Sequence, residues 1–443
     1  GAEATEQIEA DAGLRIQVVN GIKEAQLVFQ AVRASVLMDP GPVLCADLGG
    51  GSLELAVGDR QSLQYATSLH LGVGRLTTEL VRADPPSQKD RARLDKRVRS
   101  EIEEVLADIL ARGPRQLIGS SGTLCAINRA ASARRDGTIP ASVNQLSSSA
   151  ADVHGLAELV FSLSVDERAA LPGIDARRAE LLPAGIVVAE ALLELTGIEV
   201  LTTSEWALRE GMVLRVINKR DRAELGSDPR AIRFASVLSL CRRSNFRERH
   251  ARSVARMAVE LFEATRPVHG GSGEDREILE LAALCHDIGD HVSRDGHSRH
   301  SAYLIENGGL RGFSPTEVAM LVCLARYHTR GKPRESFPTF DSLGEQDRGR
   351  LLKLLALLRI ADGLDVSHAD IIGPLSARIL EGAVVIEAPA RGDAELEHWM
   401  FQRKRPLFAE VFGKEAVLDL HRVGHDEFEP DSSAVAAEAA GHG

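Results

Sequence analysis

The chain is 443 residues long, 44% hydrophobic and 26% charged, with a formal net charge of −11. That is the composition of a globular protein of roughly three or four domains, each large enough to bury its own core. An acidic total disfavours a nucleic-acid partner, because a polyanion approaches only where local basic surface overcomes the field. The most apolar stretch, 181–201, carries Glu190, Glu194 and Glu199, so no membrane span is expected. Five scattered cysteines in no paired spacing fit reduced thiols and a cytoplasmic setting. Basic runs at 91–99, 134–135, 242–249 and 403–405 could supply anion-binding patches, but each taken singly reads better as a solvated helix face.

In chain order, the pattern predicts a short helix at 3–12, a strand at 15–19, the turn Asn20-Gly21 and a helix at 23–35. Three strands follow at 43–48, 52–58 and 62–68. A long amphipathic helix then carries Leu94, Val98, Ile102, Val105, Leu106, Ile109 and Leu110 on one face and stops at Gly113. A strand at 116–118 leads into Gly119-Ser120-Ser121-Gly122-Thr123, which opens another helix. Ser164 and Glu167 make a capping box. A helix at 183–195 ends at Gly197, a strand covers 199–202, and a helix at 205–217 closes the unit. The order β-β-β-α-β-α-β-α is that of one lobe of the actin and sugar-kinase type. Residues 220–228 read as a polar linker, after which the chain is helical to about 367. A small α+β module follows, with strands at 377–380, 384–386 and 417–420 and one helix at 395–412. The acidic, Ala/Gly-rich end, 423–443, is expected to be disordered.

Two stretches carry phosphate chemistry. In Asp47-Leu48-Gly49-Gly50-Gly51-Ser52-Leu53-Glu54 a buried strand meets a tight glycine turn flanked by two carboxylates. Glycine N–H groups suit phosphate oxygens, and carboxylates beside them suit Mg²⁺; the alternative is an ordinary hairpin. The second stretch, Ser121-Gly122-Thr123, offers free N–H groups and hydroxyls at a helix start, or else is simply a cap.

These segments, together with Asn20-Gly21-Ile22-Lys23-Glu24-Ala25, Ser204-Glu205-Trp206-Ala207-Leu208-Arg209-Glu210-Gly211, His286-Asp287-Ile288-Gly289, 297–303 and Arg326-Tyr327-His328, occur in the order seen in the exopolyphosphatase / guanosine pentaphosphate phosphohydrolase (Ppx/GppA) family, which the chain resembles over nearly its whole length. The resemblance implies an α/β actin-like (RNase H-like) lobe, an all-α HD-like domain and a small α+β C-terminal domain. The expected division is 1–30 as the remnant of a first actin-like lobe, 31–219 as the second, phosphate-binding lobe, 229–370 as the HD-like domain and 371–422 as the C-terminal domain. On this reading the sequence is an N-terminally incomplete member.

The implied reaction is attack of water on the terminal phosphoryl group of inorganic polyphosphate, or of guanosine pentaphosphate, with Mg²⁺. Glu24 falls at the family's catalytic glutamate, Asp47 and Glu54 at its metal-site acids, and Gly49, Gly50, Gly51, Ser52, Ser121, Gly122 and Thr123 at its phosphate loops. Gln26 and Leu53 depart from the family's usual Arg and Thr. A homodimer is implied as well.

The helical region adds His250, His286-Asp287 and Asp362, the His…His-Asp…Asp order of HD phosphohydrolases. Such ligands suit a second divalent metal, Mn²⁺, Fe or Zn²⁺, with His328 able to add a donor; a structural or polyphosphate-binding role is the alternative. His291, His297 and His300 lie in a loop with Arg294 and Arg299 that either binds phosphate or is merely solvated. Three further readings stand beside polyphosphate hydrolysis: an actin-like kinase or chaperone, a non-catalytic polyphosphate- or nucleotide-binding protein, and a protein whose HD site is the real catalyst.

Overall fold

The computed structural model describes residues 8, 9, 11, 13, 18–221 and 229–423. Most of the expected helix at 3–12 and strand at 15–19, the linker from 222 and the tail from 424 lie outside the described residues. The chain divides into two compact units, 1–232 with 311–315, and 233–310 with 316–443.

The first unit is built on a six-stranded sheet. Its elements are α1 (Gly21–Arg33), β1 (Val43–Leu48), β2 (Leu53–Gly58), β3 (Leu63–Leu69), α2 (Val73–Leu80), α3 (Gln88–Leu110), β4 (Leu117–Ser120), α4 (Gly122–Asp136), β5 (Ser147–Ser149), α5 (Ala150–Ser162), α6 (Val165–Ala169), α7 (Leu182–Thr196), β6 (Val200–Thr203) and α8 (Leu208–Asp221). Strand order is β3-β2-β1-β4-β6-β5. The first three strands pair antiparallel, β1–β4 and β4–β6 pair parallel, and β5 lies antiparallel on β6.

Every residue of β1 is buried, because helices cover both faces and its alternating side chains enter two different cores. Leu44, Ala46 and Leu48 join the larger core with α3, α4, α5 and α7. Val43 and Cys45 point the other way, onto Ala25, Val28, Phe29 and Val32 of α1. Gly211 of α8 lets that helix lie directly on α1, since a Cβ there would stand 2.1 Å from the Leu27 carbonyl.

Local signals held closely. The Ser164 hydroxyl accepts from the Glu167 N–H while the Glu167 carboxylate takes the Ser164 N–H, and α7 stops at Gly197 with φ 70°. Leu110 is exposed, because it lies past the stripe of Leu94, Val98, Ile102 and Ile109 that meets the core. Strand β5 and helix α2 were not foreseen; a run of three serines has no strand-forming side chains, and only pairing with β6 extends it.

The second unit contains α9 (Pro229–Arg243), which begins in the first, then α10 (Glu248–Ala264), α11 (Arg266–His269), α12 (Gly273–Cys285), α13 (His297–Glu306), α14 (Pro315–Tyr327), α15 (Pro338–Asp341) and α16 (Glu345–Gly363). A three-stranded sheet follows, made of β7 (Ser376–Ile379), β8 (Ala383–Arg391) and β9 (Glu415–Val423), with α17 (Glu395–Lys404) and α18 (Pro406–Phe412) between β8 and β9. The single helix expected at 395–412 is two, because Pro406 has no N–H to continue α17 and instead starts α18. Among the described residues no helix is long and apolar enough to cross a membrane.

Candidate active site

Strand register assembles the first site. Asp47, next to last in β1, lies directly opposite Glu54 on β2 and beside Ser120 on the parallel strand β4. The glycine turn and the Ser121-Gly122-Thr123 loop therefore leave neighbouring strands at the same edge, where α/β sheets commonly hold ligands. Glu54 is paired in turn with Ser68 of β3, whose hydroxyl donates to its Oε1 at 2.8 Å.

The start of α1 closes over this edge. Asn20 caps the helix, its Oδ1 accepting the Lys23 N–H at 2.8 Å, and Glu24 follows in the first turn. Gly21 makes the approach possible: a Cβ there would fall 2.4 Å from Ser68 Cβ and 3.7 Å from Glu54 Oε1.

Three carboxylates thus share the edge, and the charged groups that shift Asp47 and Glu24 are their acidic neighbours. Burial, then Glu54 and Glu24, push the Asp47 carboxyl up to about 7. Burial and Glu54 likewise raise Glu24. Their oxygens do not gather into a compact trio of ligand atoms among the described residues, so an ion held there would draw further donors from water and phosphate. That is how Mg²⁺ is usually bound, and the donor set fits it.

The glycine turn has a buttress that sequence reading missed. The N–H groups of Val73, Gly74 and Arg75, at the start of α2, donate to the carbonyls of Gly49 and Gly50 at 3.0, 3.0 and 3.2 Å. With those carbonyls held from behind, no protein acceptor among the described residues takes the N–H of Gly50 or Gly51. None of Gly49, Gly50 and Gly51 has positive φ. A Cβ on Gly50 or Gly51 would meet open space, so what their lack of side chain preserves is access. Gly72 is the sterically required one, since its Cβ would lie 2.2–2.4 Å from the Gly50 and Gly51 backbone.

At the second loop Ser121 adopts φ 88°, a conformation that costs a non-glycine residue about 1–3 kcal/mol, and its hydroxyl caps α4 at Leu124 N–H. Arg178 lays its guanidinium against Gly122, where a Cβ would stand 2.0–2.3 Å from its terminal atoms. No acid among the described residues pairs with it. Nothing local in Ala176-Arg177-Arg178 marks that role. By contrast, the 204–211 stretch is structural: Ser204 bonds Ser35 at 2.9 Å and Glu210 caps α8 through the Ala207 N–H.

The second unit brings His250 of α10, His286 and Asp287 after α12, and Asp362 of α16 together. His250 Nε2 lies 3.7 Å from Asp287 Oδ2 and 3.8 Å from Asp362 Oδ1. His286 Nε2 lies 3.7 Å from Asp287 Oδ1 and 3.6 Å from Asp362 Oδ1. His328 and His297 join them, at 3.0 and 3.3 Å from Asp287 Oδ1. Burial opposes charge on His286, yet Asp287 and Asp362 raise it to about 9. Burial holds His328 below its ordinary value. Asp365, which binds His250 Nδ1 at 2.8 Å, and Lys404, which pairs with Asp362 Oδ2, were not foreseen.

An antiparallel β-meander continued by parallel strands is the plan of an actin-like α/β lobe, and carboxylates beside open N–H groups are of a kind that can hold a divalent ion and phosphate oxygens. Sequence comparison narrows this. The Ppx/GppA phosphatase family description matches residues 2–220, and that of Ppx/GppA phosphatase domain III matches 232–387. The chain belongs to the Ppx/GppA phosphatase family.

Exopolyphosphatase 1 of Mycobacterium leprae is 35% identical over 216 residues, 48% of this chain and 62% of that protein. A guanosine-5'-triphosphate,3'-diphosphate pyrophosphatase of Aeromonas hydrophila is 27% identical over 353 residues, 78% of this chain and 66% of that protein. The chain thus spans just under two thirds of either relative. The crystal structure of an exopolyphosphatase from Cytophaga hutchinsonii aligns with 49% of this chain and 70% of its own at 25% identity and a TM-score of 0.46.

Proposed function

We propose that the first unit forms a phosphoanhydride-hydrolysing site that removes the terminal phosphate of inorganic polyphosphate. The observation that carries the reading is the row Glu54–Asp47–Ser120 across β2, β1 and β4, with Glu24 close enough to shift the Asp47 carboxyl. The N–H groups of Gly50 and Gly51, the α4 N-terminus at Ser121-Gly122-Thr123 and the Arg178 guanidinium would hold phosphate oxygens. Asp47 and Glu54 would hold Mg²⁺, which when bound offsets negative charge on the phosphoryl oxygens.

Glu24 would orient the attacking water and take its proton as the new P–O bond forms. The bond to the bridging oxygen breaks, leaving orthophosphate and a chain one unit shorter. Half-burial and the neighbouring Glu54 raise Glu24, which suits a general base. A second substrate, guanosine pentaphosphate, is favoured by the longer reach of the alignment with the Aeromonas hydrophila protein; the same groups would serve. An HD-like character for the helical part of the second unit belongs to this reading, supported by the convergence of His250, His286, Asp287 and Asp362.

The test is Mg²⁺-dependent phosphate release from polyphosphate and from guanosine pentaphosphate, before and after Glu24→Gln. The expected fall in kcat is about 10²–10⁴-fold with binding retained. Undiminished release by the variant would remove the assigned base. Tight polyphosphate binding with no release by the parent would favour the non-catalytic reading.

A further inference from the structure

Helix α2 has a different neighbour at each end. Its first N–H groups hold the Gly49 and Gly50 carbonyls of the glycine turn. Its last residues, with the loop that follows, form one wall of a cavity of about 490 Å³. The helix is eight residues long, so about 12 Å separates the two ends. The volume lies in the range of small-molecule sites, and the glycine-turn chemistry makes no use of it.

The opposite wall comes from the start of α6 and from Glu180. Arg168, 3% exposed, fixes it to the first. Its Nε donates to the Ala179 carbonyl at 2.9 Å, one terminal nitrogen to the Leu163 carbonyl at 2.7 Å and the other to Asp84 Oδ1 at 3.0 Å. Asp84 Oδ2 takes the Val165 N–H at 2.9 Å. Ala179 lies between Glu180 and Arg178, whose guanidinium rests against Gly122 of the second loop. Each wall therefore runs on into one of the two phosphate loops.

Arg168 and Asp84 cancel each other's charge, which leaves two charged side chains on the walls. Neither Arg82 nor Glu180 has an ion-pair partner among the described residues; Arg82 gives one N–H to the Glu79 carbonyl at 3.0 Å. One free cation and one free anion on otherwise balanced walls match a ligand that carries one charge of each sign. Val81, Ala83 and Val165 supply apolar lining.

A hydroxyl is left over as well. Thr77 lines the cavity, is 7% exposed, and its Oγ1 has no hydrogen-bond partner among the described residues. Thr78 beside it bonds back to the Gly74 carbonyl at 2.8 Å, the ordinary outlet for a helical threonine. Buried polar groups are nearly always paired, so an unpaired hydroxyl at this wall is open to an atom of whatever enters.

We propose that this cavity is an effector site for a small zwitterion of the α-amino acid type with an apolar side chain. Its carboxylate lies on Arg82 and its ammonium on Glu180. A ligand joined to both walls ties the end of α2 to the segment bearing Arg178, and so steadies the glycine turn and the second loop together. A phosphate chain at the first site then binds more tightly, and by linkage it tightens the amino acid by the same factor. This coupling rests on the polyphosphate reading of the first site; the amino-acid site does not.

The test titrates the full chain with L-leucine by calorimetry, beside 4-methylpentanoate, which lacks the ammonium, and isopentylamine, which lacks the carboxylate. Leucine is expected to bind with a Kd of about 1 mM or tighter, and about tenfold or more tighter than either control. Arg82→Gln and Glu180→Gln should each weaken leucine about tenfold or more, with the thermal transition and the phosphate release seen without leucine unchanged. Both side chains are exposed, so neither exchange threatens the fold. In the Glu24→Gln protein, where turnover is removed, saturating leucine should lower the polyphosphate Kd about fivefold or more. No leucine binding, a control that binds as tightly as leucine, or parent-like binding by both variants would overturn the site. Leucine binding with an unchanged polyphosphate Kd would overturn the coupling. If leucine binds and polyphosphate does not, the coupling and the first-site reading both fall while the amino-acid site stands.

Discussion

Replacing Asp47 by Asn should stabilise the metal-free protein while impairing the chemistry. The Asp47 carboxyl rises from an ordinary 3.8 to about 7 through burial and the nearby Glu54 and Glu24. A difference of about three units, at about 1.36 kcal/mol each, sets an upper bound of about 4 kcal/mol on the cost of ionising it in the fold. Water penetration and local relaxation reduce that, so about 1–2 kcal/mol is the working expectation.

The direction follows from proton linkage. The folded carboxyl keeps its proton to higher pH than the unfolded one, so stability falls as pH rises from about 4 to about 7 and is level above that. Asn cannot ionise and escapes the loss. In a chelator at pH 8 the calorimetric transition of the first unit should therefore lie about 2–8 °C higher in Asp47→Asn, with most of the gap closed at pH 4.5. Saturating Mg²⁺ should raise the parent far more than the variant. If the variant is no more stable at pH 8, or Mg²⁺ stabilises both equally, the three acids do not form one charged cluster.

Three further outcomes follow from other contacts. Arg178→Ala should raise KM for polyphosphate about 10–100-fold, with Arg178→Lys recovering part, because the guanidinium on Gly122 would be lost as a phosphate donor; an unchanged KM would assign Arg178 to packing. Gly72→Ala should cost at least about 1–3 kcal/mol by overpacking, since its Cβ lands on the glycine-turn backbone, and denaturant titration would show it. Asp365→Asn should weaken metal retention by the second-unit cluster about 10–100-fold by loosening the hold on His250 Nδ1, measured by competition with a coloured chelator.

Features set by near neighbours were legible in the chain itself. The span of β1 was read as it stands, at Val43–Leu48, because an apolar run broken only by Asp47 and bounded by Pro42 and a glycine turn has few other uses. The Ser164 capping box and the Gly197 stop depend on residues a few positions apart, within reach of a pattern. Asp47 and Glu54 could be named as flanking acids because a two-strand turn sets them opposite each other. The role proposed for Glu24, on another element, came only from family resemblance.

What the tertiary structure decided lies between residues distant in sequence. The carbonyls of the glycine turn are held by Val73 to Arg75, and Arg178 reaches Gly122 across more than fifty positions; neither segment has a periodicity that announces its partner. The four HD-order residues were visible as types and order. Which nitrogen of each histidine faces the cluster was decided by a carbonyl or carboxylate outside it, at Ala283, Ala325 and Asp365. Charge behaves the same way. Asp47 becomes unusual because folding removes it from water and brings two other carboxylates near it, and both effects exist only in three dimensions.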